Sequence, residues 1–165
     1  GHAIVSRAIF TGLREAVHSG QLQLMFQPQV DVATEEIIGV ETLVRWHHPT
    51  RGIVSPANFL GVAEDAGVMV QLGEWVLRRA CEAARSWAPH SNARVAVNLS
   101  GRQLDHPDFA QRVKKILYES DLPASRLGLE LTESLATTES AMRVIAELRG
   151  LRAKRLVAVR KALAS

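Results

Sequence analysis

Two periods alternate along this chain, and that alternation restricts the fold more than any other feature. Apolar runs at 37–46, 94–99 and 126–132 have strand character, while the segments between them repeat apolar residues at helical spacing. After the first run, Ser55-Pro56 places a capping residue before a proline at the first helical position and opens a short helix through Phe59, Leu60, Val62 and Ala63. A longer helix is expected over 70–87, with Leu72, Val76, Ala80, Ala84 and Trp87 on one stripe. Asp105-His106-Pro107 then starts a helix carrying Phe109, Val113, Ile116 and Leu117 on one face, and 138–148 reads as another. Strands separated by helices of this length predict βαβ units and a parallel sheet, an α/β fold.

The sheet is entered differently. Residues 22–31 alternate, with Leu24, Phe26, Pro28 and Val30 on one side and Gln23, Met25, Gln27 and Gln29 on the other. The polar turn at 33–36 joins this run to 37–46 as an antiparallel hairpin, and Pro28 argues for an edge or bulged strand. A lead-in helix over 4–18 stops at Ser19-Gly20, and 155–159 is a last strand candidate. Four or five strands fall short of a closed (β/α)₈ barrel, which takes about 250 residues. A partial TIM-type barrel is therefore expected.

Charge excludes some functions. Residues 1–148 hold 14 Lys/Arg against all 17 Asp/Glu, a balance of −3, and six basic residues after Glu147 bring the chain to +3. The basic character belongs to the last residues and reads as a solvated end, so the body carries no footprint of a nucleic-acid binder. A single cysteine, Cys81, rules out an internal disulfide framework and fits a core position. No apolar run approaches the roughly 20 residues that cross a bilayer, and no signal peptide is evident, so a cytoplasmic protein without membrane insertion is expected.

The strands also carry polar residues. Alternation over 37–46 puts Glu41, Leu43 and Arg45 on one face, and a carboxylate and a guanidinium there require partners, an ion or a ligand. A Glu41–Arg45 ion pair is the simplest structural account. Asn98 and Glu130 sit toward the C-terminal ends of their strands, where sites of βα architectures gather. Convergence of Glu41, Asn98 and Glu130 would offer two carboxylates and an amide, hard donors suited to Mg²⁺, Mn²⁺ or Ca²⁺. Alternatively, Asn98 caps the turn that follows it. Adjacent His47 and His48 complete no zinc spacing, and phosphate-loop, dinucleotide and nucleophile-elbow motifs are absent.

The ordered runs Phe26-Gln27-Pro28-Gln29-Val30-Asp31, Gly39-Val40-Glu41-Thr42-Leu43-Val44-Arg45-Trp46, Gly52-Ile53-Val54-Ser55-Pro56, Leu72-Gly73-Glu74-Trp75, Val97-Asn98-Leu99-Ser100, Gln103-Leu104 and Leu129-Glu130-Leu131-Thr132-Glu133 resemble an EAL domain over roughly 20–151. That resemblance implies a modified TIM barrel with one antiparallel strand and hydrolysis of cyclic di-GMP to the linear dinucleotide. It implies Glu41 as the catalytic signature glutamate. Glu41, Asn98 and Glu130 become ligands of Mg²⁺ or Mn²⁺, and Gln27, Leu43 and Arg45 become contacts to the dinucleotide.

Two departures shape the expectation. Thr42 stands where the family signature has alanine. After Leu151 the family's Asp-Asp-Phe-Gly-Thr-Gly run, its later lysine and a further glutamate have no counterpart, and 152–165 contains no acidic residue. The chain accordingly divides into a lead-in helix at 3–20, a truncated EAL domain at 21–151 and a basic tail at 152–165, with turnover lost and any metal weakly held. The alternatives are a degenerate module that binds cyclic di-GMP or a protein partner, and a fragment without activity. Open barrel edges predict a homodimer, with 155–159 as the segment exchanged.

Overall fold

A computed structural model describes residues 12–65, 67–88, 90–151 and 157–160. A helix at 12–18 (α1) precedes β1 (Leu22–Val30), β2 (Ile37–His48) and β3 (Gly52–Val54). Then come α2 (Pro56–Asp65), α3 (Met69–Ser86), β4 (Arg94–Asn98), α4 (Gly101–Asp105) and α5 (Phe109–Glu119). A single 3₁₀ turn at Ala124–Arg126 leads into β5 (Leu127–Thr132), followed by α6 (Glu133–Ala136), α7 (Glu139–Leu148) and β6 (Val157–Arg160). The lead-in helix before residue 12, and the tail apart from 157–160, lie outside the described residues.

The strands form one open sheet in the order β1-β2-β4-β5-β6, with β3 on β2. Among the described residues, only the β1–β2 and β2–β3 pairs are antiparallel. The hairpin follows from its turn: Asp31 Oδ1 accepts from the Ala33 and Thr34 amides, and Glu35 takes a positive φ of 59° to close the reversal. The ladder slips between Gln29 and Val30, just beyond Pro28, which has no amide proton to contribute.

One face of the sheet is apolar and covered. Val95, Val97, Leu127, Leu129 and Leu131 meet Leu77, Ala80 and Ala84 of α3, Val113, Ile116 and Leu117 of α5, and Val144 and Leu148 of α7. Helices α3 and α5 are also stitched at the surface by Arg112 to Glu74 at 2.9 Å and by Arg78 to Glu119. The Arg78 hydrogen bond holds the Glu119 carboxyl below the usual range. A second cluster gathers around Trp46 and Phe59, whose rings meet edge to face at 5.9 Å, with Leu13, Ala16, Leu22, Val68 and Leu72. Indole Nε1 of Trp46 donates to Gln21 Oε1 at 3.0 Å, so this buried ring has its polar atom satisfied.

Three local expectations need correction. Asp105 ends a helix instead of starting one: α4 closes there and α5 begins at Phe109. Short elements β3 and α4 were not foreseen, because three and five residues are too few for a period to register. The last strand runs from Val157 to Arg160, two residues later at its start than 155–159, and pairs in parallel with β5.

Candidate functional site

Strand register sets the site. Glu41 pairs with Gln27 across the hairpin and with Ala96 on β4, while Asn98 pairs with Glu130. Paired residues share a face, and so do residues two apart, so Gln27, Glu41, Asn98 and Glu130 all lie on the sheet face opposite the helices. That face is built from small residues between the polar ones: Gly39 and Ala96 precede Glu41 and Asn98, and Gly128 precedes Glu130.

Glu41 is buried, only 9% exposed, and Asn98 Nδ2 donates to its Oε1 at 3.2 Å. A buried carboxylate requires such a donor or a cation. The Glu41–Arg45 ion pair is not formed. Arg45 Nη1 instead donates to the Val44 carbonyl at 3.0 Å. Nor does Asn98 cap the following helix, since Ser100 fills that role.

A cavity of about 740 Å³ opens beside these residues. It exists because β2 changes neighbours. The strand pairs with β4 only from Gly39 to Glu41 and with β3 from Trp46 to His48, while β1 stays on its other edge as far as Trp46. Between those pairings, Thr42, Leu43 and Val44 face the gap, and the β4–α4 segment from Val97 to Gln103 faces them. Leu60 of α2 and Met69, Leu72 and Val76 of α3 add apolar walls, and Thr132 and Leu135 border the β5 side. This volume and mixed lining suit a small organic ligand. Gln27, Leu43, Glu41 and Asn98 line the cavity, whereas Arg45 and Glu130 are not part of its wall.

Among the described residues, no group of three or more His, Cys, Asp or Glu side chains is arranged to hold a metal. The donor set nevertheless has the right chemistry for a hard cation: a buried carboxylate, an amide bonded to it, and Glu130 on the same face in register with that amide. Sequence reading passed over Ser100 and Gln103 as site residues, although Ser-x-x-Gln is the signature of a reciprocal helix cap and would have located α4.

Comparison with known proteins was made on this basis. The family model described as "EAL domain" matches residues 11–156. The bifunctional diguanylate cyclase/cyclic di-GMP phosphodiesterase MucR of Pseudomonas aeruginosa is 43% identical over 130 residues, which is 78% of this chain and 19% of that protein. The cyclic di-GMP phosphodiesterase NbdA of the same organism is 43% identical over 123 residues, 73% of this chain and 16% of that one. This chain thus spans less than a fifth of either relative. A solved structure titled as the PaMucR phosphodiesterase in complex with c-di-GMP superposes with a TM-score of 0.85 at 36% identity, covering 92% of this chain and 62% of that one.

Proposed function

This chain belongs to the EAL domain family, and from that premise we propose that its cavity binds cyclic di-GMP against the Glu41–Asn98–Glu130 face. The observation that carries this reading is the 3.2 Å bond from Asn98 to buried Glu41 at the cavity wall, with Glu130 in register on the same face. Gln27 and Leu43 line the cavity and contact the dinucleotide, and Arg45, two residues beyond Leu43 on the same strand face, reaches a phosphate. Glu41, Asn98 and Glu130 hold Mg²⁺ or Mn²⁺. When bound, such an ion lowers the pKa of water and offsets charge on the phosphoryl oxygens.

In the phosphodiesterase reaction one water adds across one of the two phosphodiester bonds and the linear dinucleotide results. Glu41 contributes fixed negative charge beside the cation, Asn98 orients that carboxylate, and the apolar walls exclude water from the bound dinucleotide. Residues 152–165 contain no Asp or Glu and so add no carboxylate to this donor set. The test is calorimetric titration with cyclic di-GMP and Mn²⁺, followed by chromatography for linear product. Saturable binding weakened at least tenfold by Glu41→Gln supports the reading. No heat at millimolar ligand overturns it.

Assembly and location follow from the same reading. Strands β1 and β6 are the sheet edges among the described residues, and Met25, Val30, Ile37 and Ile38 are exposed on the hairpin. Such edges template pairing with a second copy. Light scattering across a dilution series is expected to give twice 18.1 kDa, and a mass of 18.1 kDa throughout excludes the dimer. Among the described residues no helix is long and apolar enough to cross a membrane. The cytoplasm, where a lone thiol stays reduced, is the compartment this reading implies.

A further inference from the structure

Gln103 is 2% exposed and lines the cavity, and half of its amide is committed. Its Oε1 accepts from the Ser100 backbone amide at 3.0 Å and from Ser100 Oγ at 3.3 Å, while Ser100 Oγ accepts from the Gln103 amide at 3.3 Å. Of the two terminal atoms of a side-chain amide only the oxygen can accept from a backbone N–H, so this reciprocal cap fixes which way the Gln103 amide points. Nitrogen Nε2 therefore takes the opposite side, against α3 at Gly73. A Cβ built on Gly73 would lie 2.0 Å from Nε2, so the glycine is what admits the amide. Gly73 is itself part of the cavity wall, between Leu72 and Val76. No hydrogen bond joins Nε2 to a described residue, and Nε2 is not one of the fully enclosed polar atoms left without a partner, so it keeps access to the cavity that Gln103 lines. A donor pair that the protein leaves unused at a cavity wall is available to a ligand's acceptors.

Resting on the reading that cyclic di-GMP enters this cavity, we propose that Gln103 Nε2 is the group that selects guanine, donating to the O6/N7 edge of one base. Guanine presents two acceptors on that edge, whereas adenine presents one acceptor and an amino donor. A glutamine free to rotate would serve either base by turning over its amide. Here Ser100 prevents that, so the site offers donors only and an adenine N6–H would be left facing an N–H. The apolar side chains of Leu72 and Val76 flank Gly73 and suit the flat face of a base. Gly73 and Gln103 thus act as one specificity device, the first giving room and the second giving the donors.

The test compares cyclic di-GMP with cyclic di-AMP by calorimetry on the full chain. Gln103→Glu keeps an oxygen for the Ser100 amide and replaces the donors with a second oxygen. The expected result is at least a tenfold loss of cyclic di-GMP affinity and a change of under threefold for cyclic di-AMP, with the fold kept by circular dichroism and the melting temperature lowered by the buried carboxylate. Gly73→Ala, which intrudes on Nε2 from the other helix, is expected to narrow the same preference. Unchanged cyclic di-GMP affinity in Gln103→Glu overturns the proposal, and so does an equal loss for both ligands with the fold intact, which would mean a contact that does not read the base. A wild-type chain that binds neither dinucleotide overturns the reading of the cavity itself, a result distinct from both.

Discussion

Thr42 carries its hydroxyl to the covered side of the sheet, where the residue is 5% exposed and Oγ1 has no hydrogen-bond partner among the described residues. Alternation separates it from Glu41, so the cost of this side chain falls on stability and not on the cation face. Thr42→Val keeps the shape and removes the unmet hydroxyl, and is expected to stabilise the protein by about 1 kcal/mol, read as a higher urea midpoint at constant slope. Lower stability would mean that the hydroxyl has a partner. Cys81 illustrates burial in another way. Desolvation pushes its thiol up to about 12, against a smaller lowering from Ser120. Alkylation at pH 8 should therefore require unfolding. Since the folded value is raised, the contribution of Cys81 to stability is complete below the unfolded pKa near 8.5. It is lost as pH rises from there toward 12, by up to about 1.4 kcal/mol per unit. Cys81→Ala should flatten that alkaline limb in melts taken between pH 8 and 11.

Element boundaries depend on a few polar anchors. Arg126 is buried and donates to Ala84 O at 2.9 Å and to Ala93 O at 3.2 Å, tying the C-terminal turn of α3 to the start of β4 from the turn that opens β5. A cation at a helix C-terminus also suits the helix dipole. Arg126→Ala leaves both carbonyls without that donor and is expected to cost about 3 kcal/mol in chemical denaturation, and Arg126→Lys should recover only part because an ammonium lacks the planar fork. Nothing in the periodicity marks this residue, since a buried arginine in a turn looks like a surface one. The main strands and long helices were legible because each repeats its period several times. That Glu41, Asn98 and Glu130 share one sheet face was legible because polar residues interrupted apolar strands. The cavity was not, because it arises from β2 exchanging β4 for β3, and pairing between distant segments leaves no local trace.

On the scale of the whole molecule, α3 joins the two apolar clusters: Leu72 packs with Trp46 and Phe59, and Leu77 with the sheet and α5. A helix shared in this way couples them. Tryptophan fluorescence, which reports on Trp46 and Trp75 in one cluster and Trp87 beside the other, is expected to trace the same thermal transition as far-ultraviolet circular dichroism. Separate transitions would show two independent units. The break in pairing along β2 has a consequence for recognition. From Thr42 to Arg45 that edge of the strand has no strand partner among the described residues, so alternate peptide groups there point toward the cavity. Their protons should exchange with deuterated solvent faster than those directed at β1, and a ligand seated in the gap should slow them. A molecule held by peptide groups is held by atoms common to every residue. Side chains at 42 and 44 can then vary without altering that part of the grip.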